Sequence, residues 1–496
     1  MDNLPYKLQS RRKSIALCLL ARRSTVDLIG LKRFFKPLIE DFKRFKASHD
    51  LGAGRQISGY LAATTGDNLA LNELMGISRG FAFPDQRCCR FCLLTNLQIN
   101  IEQNWKSNNN TRKLLSHEDL DLIHSSDPAT IFYVNNFETN SVFAEIQKEN
   151  LYAVDTFHDL EEGAINLFLT ELIKFFYRGD EYKELNQMIN EFEFRHGSVN
   201  HLSSSMNKIK GSGMQIYEFF IHFSILDFKV KFHTDKSYWN GYLALRKIVI
   251  FTRQELFYNT MFVRYDQLII EFMKTCHLLN IKITPKIHNL SHYPFIVKTF
   301  GPLYLLNCLR FERLHKIFKD RLVNSSSCIS PEFTLAKYYW KYFNFENIQS
   351  KFEIDPFETI KPNSIEIEIS KQFHRYIDLN KNLIIIRSLV LEGVEFRSGY
   401  FYALKSAENF NFFQCADIFQ QDNKITIFGY LYKITFYDSE LCSFRVQKQN
   451  RIISIKPKNL YHNHRLFFYY HLNELYIQNT FYFSCIENYM PIVQHF

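Results

Sequence analysis

Long hydrophobic runs are missing from this sequence. The apolar run at residues 15–21 is closed by Arg22 and Arg23, far short of the roughly eighteen residues that cross a bilayer. Basic residues 11–13 precede it as they would in a signal peptide, but the run is short for one and no small-residue cleavage site follows. We therefore predict a buried strand here, in an intracellular protein that is neither secreted nor bound to a membrane.

Cysteine and sequence repetition are scarce as well. Ten cysteines in 496 residues are too few for a disulfide scaffold, and only Cys88, Cys89 and Cys92 lie close together. This usage is typical of a reducing compartment. Internal repeats and low-complexity tracts are absent, and 46% hydrophobic with 16% aromatic residues can form one large or two ordinary cores. The composition thus predicts a globular protein.

The residue pattern predicts an α+β protein. Near the N-terminus, a strand at 14–20, a helix within 31–45 and a strand at 56–64 form an α/β pattern. Helical periodicity then dominates, with candidate helices at residues 158–177, 181–193, 214–228 and 264–279. A further helix at 303–320 begins at Gly301-Pro302, because proline suits the first helical turn, and another follows Pro331.

Past residue 365 the pattern changes to short β-prone runs, at residues 383–390, 400–404, 424–432 and 466–470. We predict a separate β-rich domain at 365–496 after a linker at 346–364, where prolines and charges interrupt the periodicity. Its aromatic residues suit either a recognition surface or core packing, and packing is the more frequent use. They include Tyr400, Phe401, Tyr402, Tyr469 and Tyr470.

Asp67 directly follows the predicted strand at 56–64, in Thr65-Gly66-Asp67-Asn68. Folds of the α/β class present polar groups to ligands at such strand ends. A carboxylate there would matter if it shared Mg²⁺ with other acids, since hard cations prefer oxygen ligands. Alternatively, Asp67 or Asn68 caps the next helix, and the residues alone favour the cap.

Two pairs of thiol and imidazole groups have the spacing of zinc ligands. Cys89-x2-Cys92 and His288-x3-His292 each place two ligands within reach of one tetrahedral ion. However, Cys92 and His288 lie 196 positions apart (288 − 92 = 196), far more than in a compact zinc finger. The residues alone therefore leave open reduced core thiols and loop histidines, and Cys88 could replace Cys89.

Glu312 lies inside the predicted helix that follows Gly301-Pro302. At helical spacing, Leu305, Cys308 and Leu309 share its face, so this carboxylate would continue an apolar stripe instead of a solvated one. A functional carboxylate and an ion pair with a basic neighbour explain such a position equally well.

Several blocks of residues occur in a defined order along the chain. They are Asp67-Asn68-Leu69-Ala70-Leu71-Asn72, Cys89-Arg90-Phe91-Cys92, Asp155-Thr156-Phe157-His158-Asp159-Leu160 with Glu162-Gly163, Pro285-Lys286 to Pro294 with Phe300-Gly301-Pro302, and Arg310-Phe311-Glu312 to His315. In this order they resemble the motifs of CACTA/Chapaev-like DNA transposases of the CMC superfamily, a group akin to the V(D)J recombinase. The resemblance covers roughly residues 13–345 in patches, with a vaguer likeness beyond.

The resemblance implies an RNase H-like core that is interrupted by a large α-helical insertion. Residues 1–100 would form the N-terminal part of the core, 101–280 the insertion, and 281–345 the return to the core. The family core holds three metal-binding acids. Matched by motif, Asp67 would be the second acid and Glu312 the third, together binding Mg²⁺ or Mn²⁺.

The resemblance also explains the long gap between the cysteine and histidine pairs. Cys89, Cys92, His288 and His292 would be the ligands of a structural zinc ion that ties the two ends of the insertion together. His158 would be the histidine of the family motif that lies within the insertion, here the block that begins at Asp155, and a candidate catalytic residue.

The first acid of the family has no counterpart in this sequence. It would lie two strands before the predicted strand at 14–20, and Asp2 is the only acid among residues 1–13. Asp27 and Asp41 come too late in the order of strands to replace it. The resemblance therefore implies either an N-terminally truncated sequence or a domesticated protein that has lost cleavage, because in-line phosphodiester attack needs two accurately held metals.

A formal charge of +9 and a pI near 8.8 permit a polyanionic partner without demanding one. We expect a transposase-derived protein that binds double-stranded DNA weakly and salt-dependently, in the nucleus or cytoplasm, without cutting it. Phosphate contacts need only distributed Lys and Arg, as at 11–13 and 316–321. The alternatives are an active cut-and-paste transposase whose N-terminus is missing and a zinc-stabilised intracellular interaction scaffold.

Overall fold

The computed structural model describes residues 16–105, 142–349 and 384–478 with internal gaps. Not described within these ranges are 48, 51–55, 76–88, 93, 144, 147–151, 193, 195–196, 227–235, 255–256, 258, 324–329, 387, 392–393, 405–410, 422–423, 439–441, 457–458, 461–465, 467 and 472–473. Asp2, the basic segment at 11–13 and Cys88 therefore lie outside the described residues. The chain divides into two compact units, Met1–Ile348 and Gln349–Phe496.

The first unit is mainly helical. Its α-helices are α1 (Arg23–Ile29), α2 (Leu31–Lys46), α3 (Asn68–Leu74), α4 (Asn166–Phe176), α5 (Glu181–Glu191), α6 (Gly213–Leu226), α7 (Ser237–Thr252), α8 (Asn259–Leu278), α9 (Pro285–Asn289), α10 (Tyr293–Phe300), α11 (Leu309–Val323) and α12 (Pro331–Gln349). A π-helix at Phe157–Ile165 leads directly into α4. Short 3₁₀ turns cover Gln98–Asn100, Glu102–Trp105, Leu290–His292 and Leu303–Leu306.

The helices predicted in the middle of the chain are confirmed as the π-helix with α4, and as α5, α6 and α8. Their packing depends on glycine at two positions. A Cβ on Gly213 would overlap the ring of Phe157, and a Cβ on Gly163 would lie 2.8 Å from Lys286 Cδ. The π-helix therefore approaches α6 on one side and α9 on the other. None of the described helices combines the length and apolar character that crossing a membrane requires.

The N-terminal α/β pattern is confirmed only in part. The predicted helix at 31–45 corresponds to α2. The predicted strand at 14–20 is wrong over its described part, 16–20, which forms no regular element. Leu17 packs instead against a cluster around Leu314 and Tyr339. The apolar character of this segment thus reflects contacts with helices, not pairing in a sheet.

The predicted strand at 56–64 is shorter than expected. Only Gln56–Ile57 (β2) forms a strand, antiparallel to His49–Asp50 (β1). Further along, Thr64 makes one parallel bridge with Tyr152. Helices and sheets both occur in the described chain, which confirms the α+β class at that level.

The predicted helix at 303–320 is wrong as one continuous element. After the 3₁₀ turn, Asn307 is extended and α11 begins at Leu309. The Leu309 amide donates to the Asn307 side-chain oxygen (2.8 Å), and the Cys308 amide donates to Asp155 Oδ1 (3.2 Å). Side-chain acceptors that capture backbone amides compete with helical hydrogen bonds, so the helix is interrupted here.

The second unit is built from strands. They are β3 (Ile384–Ile386), β4 (Ser388–Leu391), β5 (Val394–Arg397), β6 (Phe401–Leu404), β7 (Asn411–Gln421), β8 (Lys424–Asp438), β9 (Ser443–Ile455), β10 (Phe468–His471) and β11 (Glu474–Gln478). An antiparallel sheet runs in the order β10-β11-β9-β8-β7-β3, with β6 also paired to β7. β4 and β5 form a separate antiparallel pair.

Both faces of the larger sheet carry buried side chains. Along β6, Phe401 and Ala403 belong to one core cluster, whereas Tyr402 and Leu404 belong to the other, as the alternation of strand side chains requires. Two of the aromatic residues considered for recognition, Phe401 and Tyr402, are therefore core residues. Tyr470, by contrast, is 71% exposed.

Candidate metal centre

Four side chains from two distant parts of the first unit meet in one buried cluster. They are Cys89, Cys92, His288 and His292, with one ligand atom of each within 4.8 Å of the others. Cys89 Sγ lies 3.3 Å from His292 Nε2, and Cys92 Sγ lies 3.3 Å from His288 Nε2. Within the described part of the chain, only this group of three or more Cys, His, Asp or Glu residues could hold a metal ion. The predicted convergence of the two pairs is confirmed.

The cluster has the dimensions of a tetrahedral site. The two Nε2 atoms lie 3.3 Å apart. Two nitrogens bound at about 2.0–2.1 Å to one tetrahedral ion would be separated by about 3.3 Å. All four side chains are at most 1% exposed. Four protein ligands in a closed, buried arrangement are typical of a structural metal site, because a catalytic site keeps one position open.

A tight turn presents the two thiols. The backbone amide of Phe91 donates to Cys89 Sγ at 3.3 Å, which folds the chain around the sulfur. The Phe91 ring lies 5.2 Å from the imidazole of His292, and the Arg90 guanidinium lies 4.6 Å over the Phe91 ring. These contacts fix the turn against the histidine segment.

Helix α9 and the 3₁₀ turn after it present the two imidazoles. Thr284 caps α9 through its side-chain oxygen, which accepts the Ile287 amide (3.4 Å), and Pro285 occupies the first turn. His288 and His292 are four residues apart on this helical stretch. Side chains at that spacing share one face, so both rings reach the thiols.

The pKa of the Cys89 thiol lies well below its ordinary value. Burial alone would raise it, but the hydrogen bond with Cys92 and the neighbouring imidazoles of His292 and His288 together have the larger effect. The thiolate is the form of cysteine that binds metal ions. The lowered pKa favours the form of Cys89 that can bind a metal ion.

A second contact joins the same two parts of the chain. The Asn100 side chain accepts the Ile283 amide at 2.9 Å and donates to the Ile283 carbonyl at 3.3 Å. The Trp105 ring packs edge-on against His277 of α8, with centroids 5.6 Å apart. The segment after the cysteines is thereby tied to the segment before the histidines.

A buried carboxylate, that of Asp159, collects donors from the segments around the metal ligands. Its Oδ1 accepts from Asn68 Nδ2 (2.8 Å) and Asn289 Nδ2 (3.0 Å), and its Oδ2 accepts from the Tyr293 hydroxyl (3.3 Å). Burial raises the pKa of Asp159 to about 6, and the charge of Arg90 opposes that rise. The hydrogen bonds from Asn68 and Asn289 and the Arg90 charge favour the ionised carboxylate.

Arg90 completes this network. Its Nη1 donates to Asn68 Oδ1 at 2.9 Å, and its Nη2 donates to the Ala153 carbonyl at 3.0 Å. The side chain is only 2% exposed. A buried guanidinium needs a nearby counter-charge, which Asp159 provides across the Asn68 amide.

Sequence reasoning missed Asn68, Arg90 and Asn289. A signal for them was present, because each directly follows a predicted site residue. Asn68 follows Asp67, Arg90 follows Cys89, and Asn289 follows His288. Polar residues next to metal ligands commonly hold the ligands in place through hydrogen bonds.

His158 lies between two carboxylates. Its Nδ1 is hydrogen-bonded to the buried Asp155, and its Nε2 lies 3.7 Å from Glu162 Oε2. Burial lowers the pKa of His158, but the hydrogen bond with Asp155 and the two negative charges outweigh burial and raise it. Asp155 also accepts the Cys308 amide, and so joins the π-helix to the start of α11.

The two predicted catalytic acids are placed differently. Asp67 Oδ1 accepts the Ala70 amide at 2.7 Å and caps α3, which confirms the capping interpretation. Glu312 is 38% exposed in the first turn of α11, with His315 Nδ1 at 4.0 Å. Because α11 starts at Leu309, Leu305 is not on the same helix as Glu312, and the predicted apolar face is wrong in that part, whereas Leu309 does share the helix with Glu312. A Mg²⁺ or Mn²⁺ site shared by Asp67 and Glu312 stays a prediction.

One cleft of about 670 Å³ is lined by two of the three candidate catalytic residues. Asp67 and His158 both contribute to it, together with Glu162, Lys208 and Lys286. Its described lining does not include Glu312. The geometry therefore brings Asp67 and His158 to one cavity.

Comparison with protein-family models, with curated proteins and with solved structures finds no match to this chain. The geometry by itself defines a buried cluster of two cysteines and two histidines, within a helical unit, that could hold a metal ion. The transposase resemblance remains a hypothesis that rests on the order of the motifs.

We expect the purified protein to hold one metal ion per chain and Cys89→Ser to lose it. The free energy of unfolding should fall by about 3 kcal/mol or more, since binding of a structural metal is coupled to folding. Metal analysis and thermal unfolding measure the two effects. Cys18→Ser, in an exposed thiol outside the cluster, is the matched control and should change neither. Stoichiometric metal in Cys89→Ser would contradict the assignment.

Asp159→Asn should destabilise the protein by about 3–5 kcal/mol, because it removes the largest of the negative charges that stabilise the buried Arg90 guanidinium. Urea unfolding at pH 7 measures the difference. Asp27→Asn is the control, since Asp27 pairs with Arg23 at the surface with 55% of its side chain exposed. That variant should cost no more than about 1 kcal/mol. Equal effects of the two substitutions would mean that the Asp159 network adds no stability.

Proposed function

We propose that this protein is a transposase-derived DNA-binding protein. The observation that carries the proposal is the convergence of the motif blocks, which are widely separated in sequence. Asn68, Arg90, Asp159 and Asn289 come from four different blocks, yet hydrogen bonds join Asn68 to Arg90 and both asparagines to Asp159. Such mutual contacts support a common origin with proteins in which the same blocks occur in the same order.

The placement of the metal centre supports an RNase H-like core with an α-helical insertion. Residues 101–280 leave the core after Cys92 and return before His288, and most described helices between them are well buried. The metal ligands and the bonds between Asn100 and Ile283 hold the two ends of this stretch together.

The metal of this proposal is zinc. Two thiolates and two imidazoles in a tetrahedral arrangement are the usual donor set of structural zinc, whereas Mg²⁺ and Ca²⁺ prefer oxygen ligands. The ion would supply a cross-link that contributes to folding. It would take no part in chemistry, because all four positions are filled by protein.

The proposed partner is double-stranded DNA, bound through its phosphates. Helix α11 exposes Lys316, Lys319 and Arg321 on its second half. A net charge of +9 favours approach to a polyanion, and pairing of cations with phosphates releases counterions. With DNA as partner, the proposed site of action is the nucleus.

The proposal includes binding without cleavage. The Asp67 carboxylate is engaged in capping α3, and Glu312 faces His315 at the protein surface. In-line phosphodiester attack requires acids that hold metal ions in common, and Glu312 is not among the described residues that line the cleft beside Asp67. Their present positions support a protein that has kept the fold and lost the reaction.

Duplex binding should be measurable by fluorescence anisotropy between about 50 and 200 mM salt, with log affinity falling linearly against log salt. The double variant Lys316→Ala, Lys319→Ala should make that slope shallower by about 0.9 for each phosphate that the lysines neutralise in the wild-type complex. Lys183→Ala on α5, whose side chain is 81% exposed, is the control and should leave the slope unchanged.

Two outcomes would contradict the proposal. Absence of duplex binding even at low salt would leave a metal-stabilised interaction scaffold. Nicking of supercoiled plasmid in Mg²⁺ or Mn²⁺, abolished by Glu312→Gln, would show an active nuclease instead.

A further inference from the structure

Strand β10 exposes two aromatic rings. Tyr470 is 71% exposed and Phe468 is 44% exposed. In the antiparallel register, Tyr470 lies opposite Leu475 and Phe468 lies opposite Ile477. Residues directly opposite each other in a sheet project from the same face, so both rings lie on the face that carries Leu475 and Ile477.

A lysine and a third aromatic ring lie on that face too. Lys448 lies opposite Tyr432 in the register of β8 and β9, and its Nζ is 3.3 Å from the centroid of the Tyr430 ring. The Phe401 ring lies 5.0 Å from the Tyr432 ring and 4.9 Å from the Phe468 ring, and Tyr430 and Tyr432 pack in one cluster with Leu475 and Ile477, so side chains of β8 and β10 lie close together on this face. Tyr430, Lys448, Phe468 and Tyr470 together form what we call the Tyr470 surface.

The stretch of chain that forms most of this surface contains basic residues and no acidic ones. Residues 441–473, which include β9 and β10, contain six Lys or Arg and no Asp or Glu. Among the described cations, Arg445 is paired with Glu474 of β11 at 4.0 Å. Lys448 has no acid within this stretch and sits over an aromatic ring. A partner of this surface should therefore be anionic and should present flat groups to the rings.

We propose that the Tyr470 surface binds single-stranded nucleic acid, with bases stacked on Tyr470 and Phe468 and a phosphate held by Lys448. The two rings are two residues apart on one strand, about 7 Å, which allows neighbouring unpaired bases to stack on them. Every base has a π-face, so such a surface tolerates many sequences. A duplex offers no such faces, because its bases already stack on one another. The surface belongs to the second unit, and the inference does not depend on duplex binding.

The test uses the full chain and a fluorescein-labelled oligothymidine of about 20 nucleotides, longer than the roughly 4–16 that one such binding site covers and unable to pair with itself. Tyr470→Ala should weaken binding about 5- to 150-fold, the range for loss of one base–aromatic stack, whereas Tyr470→Phe should stay within about twofold. The phenylalanine variant keeps the ring and removes only the hydroxyl. Because Tyr470 is exposed, neither substitution should change the melting temperature, which is measured for each variant as a control.

The role of Lys448 is tested separately. Lys448→Ala should reduce the salt dependence of oligothymidine binding by about 0.7 in slope, the value for one phosphate of a single strand. Lys433→Ala is the matched control. Lys433 is an exposed lysine of β8 that lies opposite Gln447, the residue next to Lys448. Successive residues of a strand point to opposite faces, so Lys433 projects from the face opposite to Lys448. It should leave binding unchanged.

Three results would overturn the inference. The first is that the wild-type protein fails to bind oligothymidine at low salt, or that it binds anionic lipid vesicles through Tyr470 and does not bind oligothymidine. The second is equal loss in Tyr470→Ala and Tyr470→Phe, which would exclude stacking. The third is equal loss in Lys448→Ala and Lys433→Ala, which would mean that charge alone governs binding.

Discussion

The first unit depends on the closure of residues 89–92 onto residues 288–292. This contact joins Cys92 to His288 across 196 positions. Closing so long a loop costs about 4–5 kcal/mol in chain entropy, because the cost grows only as the logarithm of loop length. A structural zinc ion contributes on the order of 10 kcal/mol in small domains, so a zinc ion bound to these four residues would offset that cost. The metal centre can therefore hold a large helical segment at its two ends.

The polar network beside the ligands follows from the same closure. Arg90 lies within the cysteine turn, and Asn289 lies within the histidine helix. Asn289 donates to Asp159 of the π-helix directly, whereas Arg90 reaches Asp159 through the Asn68 amide. Asp155, which precedes the π-helix, holds His158 in the cleft. Asn68, Arg90 and Asn289 of this network also line the cleft, so the metal ligands and the cleft share the same buried neighbours.

Local rules predicted what depends on local interactions. The helices with clear periodicity and the capping of α3 by Asp67 follow from neighbouring residues, and the four metal ligands were predicted from the resemblance. The break before α11 could be predicted only in part, because beside the local bond between the Leu309 amide and Asn307 it involves Asp155, which accepts an amide from Cys308, 153 positions later. Nor could the strand expected at 14–20 be distinguished from a segment whose Leu17 packs on helices. In both cases a long-range contact contributes to the local structure.

The most direct test of this account is X-ray absorption spectroscopy of the metal in the purified protein. The account predicts zinc with a first shell of two sulfurs at about 2.3 Å and two nitrogens at about 2.0–2.1 Å. A shell of oxygen and nitrogen alone, or a protein that contains no bound metal, would contradict it.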